Sequence, residues 1–391
     1  MTSIARPQSV VRRRGDDALI SPAPTAMVWE KPRAAHEPIA VPGIVLAPGD
    51  ALVEVELALI CGSDVEAVSG RRAVPAPLVL GHEQVGRVVA VGGAARRSDG
   101  TALGIGDRVV WSSTISCGSC DRCRSGMRQR CRALASYGRE RMARGWELSG
   151  GFASHVHVRA GTTVVAVDAE TPARVIALAC CSGATAVAAV DAAAQVVPLR
   201  GANVLVTGGG PTALTAVALA SRSGARVIFA DGDPGQRDLG LRFGATRAVK
   251  PFPDVVASAL SPARRCDGPS IVIEASGTSS STQLALDSAA VGGVVVLVGG
   301  GHAPDAGNAP IILPAVDPAG VARRLLTIRG VEGYRPEHLV TAVDFLQRHG
   351  DDHPFAELVS DFFSLEDLDA ALAAAASLAP TRVGVSAGVI T

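Results

Sequence analysis

Four cysteines, Cys117, Cys120, Cys123 and Cys131, fall within fifteen residues at steps of 3, 3 and 8, with Gly118 and Gly126 available for tight turns between them. A loop of that spacing can wrap four thiolates around a tetrahedral ion. A closed all-sulfur shell leaves no position for substrate, so the predicted site is a structural zinc. The competing reading, a redox or disulfide cluster, needs an oxidising compartment that nothing in the sequence indicates. A further thiol opens the run Cys61-Gly62-Ser63-Asp64, and about twenty residues later His82 stands in GHEQVGRVVAVG, residues 81–92. Alone, a Cys and a His are often ordinary buried residues. Beside the tetrad they point to a second metal site.

A different chemistry is written at residues 203–231. Val204-Leu205-Val206-Thr207 reads as a strand, Gly208-Gly209-Gly210-Pro211-Thr212-Ala213 leads into the helical run LTAVALASRSG, and Asp231 closes the next strand. This is the dinucleotide-binding fingerprint. Gly208 permits the tight turn, Gly210 lets a pyrophosphate approach the backbone at the helix N-terminus, and Ala213 replaces the third glycine. Asp231 can accept hydrogen bonds from the adenosine ribose hydroxyls, which predicts NAD in preference to NADP. Arg237, six residues on, is expected on the solvated face of the following helix.

From residue 27 onward the sequence resembles the zinc-containing medium-chain dehydrogenase/reductase (alcohol dehydrogenase) family. The resemblance implies a catalytic zinc held by Cys61, His82 and a later cysteine, with the fourth position open. Cys181 is favoured over its neighbour Cys180 because Thr185 stands four residues on from it, where the family pattern places a threonine near the nicotinamide. In the same way Asp64 orients the ligand imidazole, Glu83 sits behind the metal, and Ser63 accepts the alcohol proton. Many relatives continue that proton path through a His three residues further on; here the residue is Glu66, either a relay group or a solvated surface carboxylate. An open zinc lowers the pKa of a bound alcohol oxygen. The resemblance thus implies two zinc ions per chain, NAD, a homo-oligomer (dimer or tetramer), and oxidation of a small alcohol to an aldehyde or ketone.

These residues need a scaffold, and the texture of the chain suggests one. ALVEVELALICGSD after Asp50 alternates apolar and polar residues, and β-like runs follow at Val85–Val91 and Arg108–Trp111. After residue 183, Val/Ile runs at Asn203–Thr207, Arg226–Ala230, Ser270–Glu274 and Val294–Val298 alternate with Ala- and Leu-rich helical stretches, the βαβ pattern of a parallel sheet. Helices are expected at Pro336–His349 and Leu365–Ala376. The α/β architecture expected, with the resemblance, is a GroES-like β-rich catalytic domain of residues 27–182 and 330–391 around a Rossmann domain of 183–329. Residues 1–26, biased to Arg, Ser and Pro, are expected to be a disordered extension.

The bulk numbers narrow the partners. Lys and Arg total 37, as do Asp and Glu, so no basic field exists to gather nucleic acid or an anionic membrane. The most apolar stretch, Val175 to Val197, is Ala-rich and interrupted by Asp191, which suits a packed helix better than a membrane span. Arg12, Arg13 and Arg14 have no apolar stretch behind them, and a cytoplasmic location is expected. An aromatic content of 3% points to a polar pocket. The segment TIRGVEGYRPEHLVTAVDFL resembles a branch of the family acting on phosphonate-derived alcohols; polyols, amino alcohols and threonine stay open. A non-catalytic, zinc-stabilised NAD-binding protein is the rival from another class, one free to lose Cys61, His82 and Ser63.

Overall fold

The computed structural model describes residues 10–260, 267–298, 316–377 and 381–388. It divides into two units, Met1–Cys181 with Arg335–Arg348 and Phe355–Thr391, and Ser182–Tyr334 with His349–Pro354.

In the first unit the alternating segment Ala51–Ile60 is a single ten-residue strand at the centre of an eight-stranded sheet. Glu83–Val91 lies antiparallel on one side of it and Arg382–Ser386 on the other. Arg108–Ile115 continues the sheet beyond Glu83–Val91, and Val359–Ser364 runs parallel to Arg382–Ser386. Register decides what meets at the sheet's end. Leu59 pairs with Glu83 and Ile60 with Val383, so one step further Cys61, His82 and Arg382 emerge together. Apolar side chains such as Val53, Val55, Trp111, Phe152 and Val383 pack into one core, which fixes that register.

The expectation of a disordered 1–26 is corrected from residue 10 onward. Val10–Arg14 and Asp17–Ser21 form an antiparallel hairpin, and the latter pairs with Gly43–Val45. In the run Asp-Ala-Leu-Ile-Ser, alternation buries Ala18 and Ile20 in a core with Ile44, Leu46 and Leu52 and leaves Leu19 outside. Thr25–Trp29 forms a further strand, antiparallel to Glu37–Ala40. Residues 1–9 lie outside the described residues.

The second unit holds a six-stranded parallel sheet. Its spatial order is Arg247–Val249, Arg226–Ala230, Asn203–Thr207, Ile271–Glu274, Val294–Val298, Thr327–Val331. This is the 3-2-1-4-5-6 order of a dinucleotide-binding sheet, in which the crevice lies where the order reverses, at Asn203–Thr207. The strand Thr327–Val331 belongs to this sheet, so the chain returns to the first unit at Arg335 rather than at residue 330. Among the described residues no single helix is long and apolar enough to cross a membrane.

Candidate active site

Cys61 precedes the helix Gly62–Ser69, and Asp64 in its first turn accepts the Cys61 backbone N–H at 2.9 Å. The other oxygen of this buried carboxylate lies 3.4 Å from His82 Nδ1. Asp64 therefore fixes both a thiol and an imidazole, and leaves Nε2 as the nitrogen aimed elsewhere. Cys61, His82, Glu83 and Cys181 each present one ligand atom, all within 4.8 Å of one another. His82 Nδ1 faces Asp64 and Glu83 Oε1 faces Arg382, while His82 Nε2, buried, makes no hydrogen bond, as suits a nitrogen kept for a cation. Cys180 is elsewhere: fully buried, it donates to the Gln84 carbonyl at 3.1 Å, and burial pushes its thiol up to about 12.

The charges in this cluster depend on one another. The Cys181 thiol donates to Cys61, which, helped by Arg382, holds the Cys61 thiol well below its usual range despite burial. Cys181 is raised by that same donation and by burial. Burial disfavours a charged His82, but Asp64 outweighs it and the imidazole is pushed up to about 9. Burial raises Glu83 to about 7 against the attraction of Arg382, whose Nη2 stands 3.2 Å from Glu83 Oε1 and 3.7 Å from Cys61 Sγ.

Two residues on from Cys61, Ser63 is half-buried, and its Oγ accepts a hydrogen bond from Arg139 Nη2 at 3.3 Å. Glu66 stands one helical turn on from Ser63, half-buried, with its carbonyl accepting from Ser69 Oγ. Arg139 and Arg382 are absent from the sequence-derived site. Ion-pair partners leave no spacing signature, and Arg382 lies 321 residues from Cys61. A fainter signal existed for Arg139. Gly138 before it has φ +70, and a Cβ there would meet the Gly81 carbonyl oxygen at 2.4 Å, so segment 138–139 lies directly on segment 81–82.

The tetrad folds as one loop. Sulfur separations of 3.4 Å (Cys131 to Cys117), 3.9 Å (Cys120 to Cys131) and 4.0 Å (Cys117 to Cys123) bracket the roughly 3.8 Å edge of a tetrahedron whose corners lie about 2.3 Å from a central ion. Backbone N–H groups of Cys120 and Cys117 point at Cys117 and Cys131 Sγ, at 3.4 and 3.3 Å, stabilising thiolate charge. The Cys117 thiol is brought down to about 6, first by backbone donors, and Cys123 is pushed up to about 12 by burial and its neighbouring thiols.

In the second unit Gly208 has φ +102, and a Cβ on it would sit 2.8 Å from the Ser276 nitrogen. Gly210 caps the helix Pro211–Arg222 with open space beside it, and the buried Ala213 packs in that helix's first turns. This is a cradle suited to a pyrophosphate. Asp231 Oδ1 accepts the Asp233 N–H at 2.8 Å. Arg237 departs from expectation: instead of reaching into solvent, its Nη1 donates to the Asp231 and Gly232 carbonyls at 3.0 and 2.8 Å. The carbonyls left free after the strand draw the guanidinium back. Thr185 lies half-buried on the helix Ser182–Ala194.

Comparison with known proteins agrees with both units. The family model "alcohol dehydrogenase GroES-like domain" matches residues 47–169, and "zinc-binding dehydrogenase" matches 211–348. The L-threonine 3-dehydrogenase of Streptomyces coelicolor is 31% identical over 349 residues, covering 86% of this chain and 92% of the relative. An alcohol dehydrogenase of Thermotoga maritima superposes with a TM-score of 0.81 at 28% identity, covering 93% of this chain and 99% of the other. A Sinorhizobium meliloti structure described as a zinc-binding dehydrogenase bound to NADP has a TM-score of 0.77 at 26% identity, with coverage of 93% and 99%. The chain belongs to the zinc-containing medium-chain dehydrogenase/reductase family. Within it, the protein is an oxidoreductase acting on the CH–OH group of small-molecule alcohols.

Proposed function

We propose that the protein is a zinc-dependent alcohol dehydrogenase that uses NAD to oxidise a small polar alcohol to its aldehyde or ketone. The observation that carries this reading is the convergence of Cys61, His82, Glu83 and Cys181 within 4.8 Å, with a hydroxyl, Ser63, two residues on from Cys61. A rival protein that merely bound NAD would have no use for that convergence.

Cys61, His82 and Cys181 are the residues to hold the catalytic zinc, with Glu83 behind it, and Cys117, Cys120, Cys123 and Cys131 the residues to hold a structural one. Held at the first of these sites, a zinc ion would supply Lewis acidity toward a substrate hydroxyl. Ser63 accepts the hydroxyl proton and passes it outward, past Glu66 or directly to water. Asp64 keeps His82 in the tautomer that offers Nε2. Arg382 balances the Glu83 carboxylate, which would otherwise stand buried and alone. The 208–213 turn takes the pyrophosphate, Asp231 the adenosine ribose, and Thr185 the nicotinamide end.

The name of the Streptomyces relative favours a substrate with polar groups flanking the carbinol. The test is NAD reduction across polyols, amino alcohols and hydroxyphosphonates by zinc-loaded enzyme, repeated with Ser63→Ala. Turnover should fall by orders of magnitude in the variant while NAD affinity, measured by fluorescence titration, holds. A variant that turns over as fast as the parent removes Ser63 from the proton path, and a panel with no substrate refutes the reading.

A further inference from the structure

Arg139 is the one strongly charged side chain at this site for which the proposed chemistry has no use. Its guanidinium reaches Ser63 Oγ at 3.3 Å, the atom at which the substrate hydroxyl must arrive. It is half-buried, and the residue before it packs directly on Gly81, next to His82. Three carboxylates of the cluster and of the adjoining chain have other partners. Asp64 serves Cys61 and His82, Glu83 faces Arg382, and Glu140 turns back to accept the Ser136 N–H at 3.0 Å. Among the described residues no carboxylate pairs with Arg139. A half-buried arginine with one neutral contact keeps most of its five donors in a planar fork that suits an oxyanion.

The backbone holds the fork in place. Gly138 and Gly81 both have positive φ, and their chains approach so closely that a Cβ on Gly138 would overlap the Gly81 backbone. Gly138 N–H also bonds the Ser149 carbonyl at 3.0 Å, and Gly151 N–H bonds that of Gly81 at 2.9 Å. Arg139 is thus tethered to the same stretch of chain as His82 and does not hang from a free loop. Such fixing is what a specificity residue requires.

We propose that Arg139 selects alcohols carrying an anionic group, a carboxylate or phosphonate, on the carbon beside the carbinol or the next one. The inference rests on the dehydrogenase reading above and narrows its substrate class. A substrate hydroxyl against Ser63 leaves such an oxyanion within hydrogen-bond reach of the guanidinium, which can release Ser63 and engage both oxygens. A neutral diol offers no anion to pair with the half-buried cation, so the site discriminates against it.

The test compares zinc-loaded enzyme with Arg139→Gln and Arg139→Lys. Turnover probes are 3-hydroxybutyrate and L-threonine for the carboxylate, 2-hydroxyethylphosphonate for the phosphonate, and butane-2,3-diol as the neutral alcohol. The ratio of anionic to neutral kcat/KM should fall about a hundredfold in Arg139→Gln and less in Arg139→Lys, which keeps the charge but loses the fork. Whether carboxylate or phosphonate gives the higher ratio identifies the source of the anion. Calorimetric binding of 3-hydroxybutyrate and methylphosphonate to the same proteins supplies a readout independent of turnover. If no alcohol is oxidised but these anions bind in an Arg139-dependent manner, the dehydrogenase reading fails and the anion site stands. A ratio that moves less than about threefold, or binding indifferent to the substitution, overturns the proposal. Equal zinc content and circular dichroism of the variants exclude misfolding as the cause.

Discussion

Replacing Gly138 by alanine is expected to damage the catalytic cluster although residue 138 bears no functional group. Two costs add. At φ +70 an L side chain is strained by about 1–2 kcal/mol. The new Cβ would also stand 2.4 Å from the Gly81 oxygen and 2.8 Å from its carbonyl carbon, an overlap with backbone that no rotamer can relieve, costing about 1–3 kcal/mol. Gly145 provides the control, with φ +82 and nothing within 4 Å of its added Cβ, so Gly145→Ala carries only the first cost. Denaturant unfolding should therefore show Gly138→Ala less stable than Gly145→Ala by about 1–3 kcal/mol, each referred to the parent. Because the relief route is displacement of Gly81 and with it His82, Gly138→Ala should also lose catalytic zinc and turnover, while Gly145→Ala keeps both. Equal stability and equal zinc content in the two variants would refute the reasoning.

Metal analysis should find two zinc ions per chain; Cys120→Ser should lose one together with much of the stability, and His82→Ala should lose one with the fold intact. On the proposed placing of Asp231 at the adenosine ribose, where it would repel a 2′-phosphate, NAD should be used about a hundredfold better than NADP, and Asp231→Ser should narrow the gap in kcat/KM. Burial works against the Asp50 carboxylate, but His157 at 2.8 Å and the Ala160 and Ala47 N–H groups outweigh it and hold its pKa below the ordinary value. The native state then binds fewer protons than the unfolded one. The stability Asp50 confers is full above the unfolded carboxylate value near 4 and is lost as pH falls through the lower folded value, so Asp50→Asn should flatten the acid limb of a stability profile.

The sequence made some of this architecture legible and hid the rest for physical reasons. Asn203–Thr207, Arg226–Ala230 and Val294–Val298 appear as strands with the bounds expected, because a parallel sheet covered on both faces demands unbroken β-branched runs. Pro336–His349 is a helix with its expected ends, its amphipathic pattern being strong. The cysteine tetrad was readable because one short loop carries all four ligands. The hairpin Val10–Ser21 was not, since only Ala18 and Ile20 on it are fully buried and its arginines imitate a solvated tail. Arg139 and Arg382 reach the site through a glycine contact and a strand register, neither of which leaves a periodic trace.

Three neighbouring strand ends deliver Cys61, His82 and Arg382, and the last of these is encoded 321 residues after the first. During synthesis Cys61, His82 and Glu83 thus emerge long before the cation that neutralises Glu83. At translation rates of about 5–20 residues per second the interval is roughly 15–60 seconds, ample for the early strands to pair. Until Arg382–Ser386 docks beside Ala51–Ile60, Glu83 lacks the guanidinium that balances it in the folded protein. The donor set is thus complete at Cys181, before the second unit is made, whereas the cation that balances Glu83 follows only after it.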